Sequence, residues 1–293
     1  MCIMEYTTIA LIIGIIITGS VEHITIPLFS TIYPSTYFIL LMTSVEGLIV
    51  FGVTFLITIL INKKKDMEME VYNVIYPDNL LLIIIIGISN ALMSMCLLYS
   101  ANPVRVPIII QSIFLGLTIL PSIIFTKFIL NKNITYLWHI ILSSLIFLLA
   151  SIGCAIMPII QNHQFNVNNV TWIFVYLIGI ILLSLTNILQ EKYTMITLNT
   201  FQNKIKLAFY SGFFQVIVII CLFWCDLFFG YSDNVTDALL NFTTSFSVFF
   251  SNLPKFLLVQ LFVFDCLALF LLSIYLNKIS TNFNMILTNL TNM

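Results

Sequence analysis

The sequence predicts an all-α polytopic membrane protein, on three observations. Hydrophobic residues make up 60% of the 293-residue chain and charged residues only 8%, with a mean hydropathy of +1.10. Lipid is the natural solvent of such a composition. The apolar residues also gather into runs of about 20, the length that a helix needs to cross the hydrocarbon core. Finally, lysine and arginine fall between these runs in an alternating pattern: Lys63, Lys64, Lys65, Lys127, Lys132, Lys192, Lys204, Lys206 and Lys278 on one side, Arg105 and Lys255 on the other. Cytoplasmic loops carry the excess of cations, which places the N-terminus in the cytosol.

Taken in order, the runs near 6–28, 36–61, 80–99, 106–130, 136–160, 171–190, 206–229 and 254–276 each read as one spanning helix. The first has no basic start and carries Glu22 and His23, so it reads as a span and not as a signal peptide. A ninth stretch opens at Ser280 and runs to Met293, roughly 21 Å of helix and too short to cross comfortably. It reads as an incomplete or re-entrant span. The longest non-cytosolic loop, Gly230 to Leu253, repeats Leu239, Phe242, Phe246, Phe249 and Phe250 at helical spacing. That pattern predicts an interfacial helix near 237–250. The sequons Asn234-Val235-Thr236 and Asn241-Phe242-Thr243 in the same loop are candidates for glycosylation.

The same composition excludes several classes. A net charge of −1 with 11 basic residues offers no basic face for nucleic acid. Cys96, Cys154, Cys221, Cys225 and Cys266 fall inside apolar runs, where they read as small packing residues and not as a disulfide or zinc framework. A nucleophile elbow, an Asp-rich metal motif and a His-Glu-x-x-His helix are all absent from the sequence, so no enzyme and no cofactor is expected.

What remains is a set of polar groups inside the spans. Asp265 lies near the middle of Phe256 to Leu276, and Asn90 near the middle of Leu80 to Tyr99. A carboxylate at the centre of a spanning helix costs roughly 2.5–3.5 kcal/mol to insert, so it faces a partner or a watery cavity. Asp265, Glu46, Asn90, Asn187, Gln215, Gln111, Glu22 and Tyr275 are therefore the candidate cavity residues. With no cation deep inside, such a cavity favours cationic or zwitterionic solutes, and its carboxylates could exchange protons with an acidic lumen. Arg105, between Pro103 and Pro107, is placed at the outer mouth, where it would meet anionic groups or lipid headgroups.

An internal repeat organises these groups. Gly14-Ile15-Ile16-Ile17 precedes Glu22 as Gly179-Ile180-Ile181-Leu182 precedes Asn187; Ser44, Val45 and Glu46 are echoed by Phe213, Phe214 and Gln215; Asn90 and Tyr99 by Asp265 and Tyr275. With five spans per half the second half enters from the opposite side, giving two inverted repeats, residues 1–165 and 166–293.

Phe264-Asp265-Cys266 followed by Tyr275-Leu276-Asn277-Lys278-Ile279-Ser280-Thr281, with Ser184, Thr186-Asn187, Glu191-Lys192, Phe213-Phe214-Gln215 and Thr43-Ser44-x-Glu46, resembles the chloroquine-resistance-transporter-like family of the drug/metabolite transporter superfamily. The resemblance runs in order along almost the whole chain. It implies a drug/metabolite-transporter fold of two inverted five-helix repeats, with the tenth helix and part of the ninth missing here. It also implies export of small organic solutes such as amino acids, peptides, thiols or cationic drugs across an acidic endomembrane or vacuolar membrane, with protons as a possible coupling ion. The long loop lacks the cysteines that well-known members carry there. A nucleotide-sugar-type carrier of the same superfamily is the alternative, and would require deep Lys or Arg; a non-transporting, truncated or structural membrane protein is a further one.

Overall fold

The computed structural model describes residues 32–63, 79–132, 167–197, 200–229 and 234–290, with single positions of the first apolar run (13, 14, 17, 18, 21, 25, 28 and 29) and of the fifth (138, 139, 142, 143, 145, 146, 149 and 150). The expected spans 6–28 and 136–160, the cytosolic N-terminus, Glu22 and His23 otherwise lie outside the described residues. Those residues form α1 (Thr36–Lys63), α2 (Leu80–Ser100), α3 (Ile108–Gly116), α4 (Ile119–Ile129), α5 (Val167–Ile196), α6 (Phe201–Cys221), α7 (Cys225–Phe228), α8 (Val235–Ser251) and α9 (Leu253–Leu290). Among the described residues, α1, α2, α5, α6 and α9 contain stretches long and apolar enough to cross a membrane. The protein is an all-α membrane protein.

Helix boundaries follow local chemistry. Ser35 Oγ accepts from Phe38 N at 3.1 Å and so caps α1. Thr200 does the same for α6 through Asn203 N, Asn234 for α8 through Asp237 N, and Asn252 Oδ1 for α9 through Lys255 N. Pro254 follows within the first turn of α9, where its missing N–H is harmless. Asn79 and Asn131, at φ 56° and 52°, turn the chain before α2 and after α4; asparagine tolerates that left-handed conformation better than most residues. Asn234 of the first sequon is thus a helix cap, and Asn241 of the second sits within α8.

Three boundaries differ from the sequence reading. The fourth span is not one helix but α3 and α4, broken at Leu117 and Thr118. Pro121 has no N–H to donate to Leu117 O, which accepts from Leu120 N at 3.0 Å instead, and the turn tightens next to Gly116. Second, the expected gap between the eighth span and the ninth stretch does not exist. Asn277, Lys278, Ser280 and Thr281 lower the hydropathy but none breaks a helix, and α9 runs on to Leu290, so Lys278 is helical and not in a loop. Third, Lys204 and Lys206 are not loop residues: both lie in the first turns of α6, at 4% and 0% exposure.

α2 packs against both α5 and α6, and its glycine sets the second contact. A Cβ on Gly87 would lie 2.7 Å from Ser211 O and 2.8 Å from Phe214 Cβ of α6. Because lipid supplies no hydrophobic drive between helices, close packing of this kind carries the association. Gly87→Ala is therefore expected to cost about 1–3 kcal/mol by overpacking against backbone. Gly212→Ala, with nothing within 4 Å of the added carbon, is expected to leave the melting temperature in detergent unchanged, and equal losses would show that the α2–α6 approach is not tight.

Candidate functional site

The helices enclose a cavity of about 310 Å³, lined by α1, α2, α3, the α3–α4 break, α5, α6 and α9. Its polar wall comes from Thr43 and Ser44 of α1, Asn90 and Ser94 of α2, Thr186, Asn187 and Gln190 of α5, Gln215 of α6 and Ser273 of α9. Tyr176 and Gln190 both line it, so the cavity extends roughly 21 Å along α5 at 1.5 Å per residue. Met93, Leu97, Phe262 and Phe270 supply apolar surface between the polar groups. None of the described lining residues is ionisable at neutral pH as a carboxylate, ammonium or guanidinium.

Each polar group is placed by its helix. On α6, Ala208, Gly212 and Gln215 recur at four and three residues and so share one face. Gln215 Nε2 reaches Ser44 Oγ at 3.4 Å, joining α6 to α1. Thr186 Oγ1 donates to Ser89 Oγ at 2.9 Å, joining α5 to α2. At the α3–α4 break Thr118 O accepts from Ser122 N at 3.2 Å and also from Ser184 Oγ at 2.9 Å, joining α5 to the break. Gln111 Nε2 donates to Ala101 O and Val106 O at 2.9 and 2.7 Å and pins the 101–107 turn. Asn90 is only 7% exposed and makes no hydrogen bond to another described residue. A buried carboxamide needs partners, and here the cavity is where they must come from.

The structure thus brings together four of the candidates, Asn90, Asn187, Gln111 and Gln215. Glu46, Asp265 and Tyr275 do not line the cavity, although the neighbours Gly47 and Cys266 do. Consecutive helical residues point about 100° apart, so a carboxylate beside a lining residue faces a different helix contact. Glu46 accepts from Gln260 Nε2 at 3.0 and 3.1 Å, an α1–α9 bond. Asp265 is 5% exposed and its Oδ2 has no hydrogen-bond partner among the described residues. The Tyr275 ring lies 3.0 Å from Lys204 Nζ, a cation–π contact. Glu22 lies outside the described residues.

Charge gathers instead at the two ends of the cavity. At one end Lys204 continues the Ala208 face of α6 by one further turn, and Lys132 pairs with buried Glu191 at 2.5 Å. At the other, Asp226 of α7, 3% exposed, accepts from Tyr99 Oη at 2.5 Å, Ser35 Oγ at 2.6 Å and Tyr37 N at 3.1 Å. Arg105 does not face outward: it donates to Tyr99 O and Phe229 O at 3.0 and 2.7 Å and lies 3.7 Å over the Trp172 ring. Close by, burial pushes the Tyr33 phenol up, so it stays a donor, to Lys255 O at 3.2 Å. Sequence reasoning missed Asp226 because it sits at the end of an apolar run, where a charged residue is ordinary. Its partners are 191, 189 and 127 positions away.

A scan against protein-family models finds no match, and no curated protein matches the sequence.

Proposed function

We propose that the protein is a carrier of small organic solutes, built on the inverted-repeat drug/metabolite-transporter plan that its motifs resemble and working by alternating access. The observation that carries this reading is the polar, uncharged cavity between spanning helices, with the Asn90 carboxamide left for a solute or water. Discontinuous helices beside a cavity, as at α3–α4, are also what solute carriers use. Hydroxyls and carboxamides both donate and accept, so the wall suits uncharged or zwitterionic solutes such as amino acids and short peptides. The preference for cations expected from Asp265 and Glu46 would have to act through the neighbouring helix contacts, since the wall itself is neutral.

The test is uptake by vesicles containing the purified chain, using radiolabelled neutral amino acids and dipeptides. Uptake above empty vesicles that is saturable is expected; none across the panel would sink the reading. An acidic endomembrane as the site of action rests on the resemblance alone. Proton coupling is assigned to Asp265, the carboxylate with an oxygen unpartnered among the described residues: uptake should follow an imposed pH gradient, and Asp265→Asn should remove that dependence while leaving exchange. Wild-type uptake indifferent to the gradient would remove the coupling.

A phosphate-bearing solute, as in nucleotide-sugar carriers, is the second reading. It is favoured by Lys204, 4% exposed and one turn beyond Ala208 at the cavity end. Competition of amino-acid uptake by nucleotide sugars, lost in Lys204→Gln, would shift the balance to it.

A further inference from the structure

We infer that the Asp226 cluster is a latch that closes one end of the cavity and opens as a unit; the inference rests on the alternating-access reading. Apart from the Arg105 bond to Tyr99 O, each bond named here joins a residue before position 165 to one after it. Ser35, Tyr37 and Tyr99 converge on Asp226; Tyr37 Oη donates to Ile219 O at 3.3 Å; Ser35 N donates to Ser245 Oγ at 3.1 Å; Arg105 bridges Tyr99 O to Phe229 O. The N-terminus of α1, the C-terminus of α2, the turn after α6 and the buried face of α8 are thereby tied at one level. Leu40 and Leu98, which line the cavity, pack in one cluster with Tyr37, Tyr99 and Cys225, so this level adjoins the cavity.

The arrangement is suited to a two-state closure. Most of these bonds run to a single carboxylate or a single guanidinium, and one displacement of α7 against α1 and α2 breaks the three bonds to Asp226 together. The donors around Asp226 are hydroxyls and one α1 N–H, groups that water can satisfy when the end opens. Beneath the cluster lies Cys225, 0% exposed, packed with Tyr37, Tyr99 and Ile219 and with its Sγ 3.4 Å from Met95 Sδ. Opening of the latch must uncover it. Cys96, 7% exposed, faces α5 near Gly179, where the α2–α5 contact covers it.

The two thiols make the test. The full-length protein in detergent is treated with a charged methanethiosulfonate, and Cys225 and Cys96 are followed separately by peptide mass spectrometry. In the wild type Cys225 is expected to react faster than Cys96, because local opening requires less free energy than global unfolding. Tyr99→Phe keeps the ring and removes one bond to Asp226; the Cys225 rate should then rise roughly tenfold, the shift expected for losing one hydrogen bond to a charged group, with Cys96 unchanged. Arg105→Gln should give the same selective rise. Equal rates for the two thiols in the wild type would mean a static joint, and Tyr99→Phe and Arg105→Gln both leaving Cys225 at its wild-type rate would remove the latch. These rates are read without solute, so failure of vesicle uptake would overturn the transport reading and leave the latch standing.

Discussion

Asp226→Ala is expected to be the most destabilising single truncation among the polar residues described above. It strands the Tyr99 and Ser35 hydroxyls and the Tyr37 N–H in a site where Asp226 is 3% exposed and Ser35 and Tyr99 are fully covered. Each buried group left without a partner costs about 1–3 kcal/mol, so the three together reach about 3–9 kcal/mol. Thermal unfolding in detergent, followed by tryptophan fluorescence, reads the loss. Asp265→Asn is the contrasting case: its Oδ2 has no partner to lose among the described residues, and the change should stay within about 1 kcal/mol of wild type. If the two variants exchanged places in that ranking, Asp226 would not be the organising group at its end of the bundle.

Asn90→Leu should move function and stability in opposite directions. The carboxamide has no described protein partner, so an isosteric apolar side chain breaks no hydrogen bond to a described residue and should leave the fold as stable or more so. A solute that uses the amide would lose at least one hydrogen bond in a site of low polarity, roughly a tenfold or greater fall in affinity. The measurement is the half-saturation of vesicle uptake beside the melting temperature. A variant with unchanged uptake would take Asn90 out of the site; one that lost uptake and stability together would make it a structural residue.

The main spans were legible because their chemistry is continuous. α1, α2, α5 and α6 are apolar runs bounded by lysines, asparagines or prolines, and hydropathy reads such runs directly. Where hydropathy and backbone geometry part, the reading failed. Pro121 sits inside an apolar run and breaks it without changing its polarity, whereas Asn277 to Thr281 change the polarity of α9 without breaking it. The site was legible in half. Amides in mid-span pointed to a cavity because no other solvent is available there, and Asn90, Asn187, Gln111 and Gln215 meet at one. Carboxylates were harder: the face on which Glu46 or Asp265 lies depends on neighbouring helices, and the Asp226 contacts join parts of the chain too distant for any local pattern to reveal.

α9 has a mechanical implication. Between Lys255 and Leu290 it contains neither glycine nor proline, so it offers no hinge along its length. Near one end it holds Gln260 against Glu46, and farther along it holds Tyr275 under Lys204. A rod of that stiffness behaves as a seesaw: tilting it away from α1 at the first contact swings the second, and neither end of the bundle can loosen without the other registering the movement.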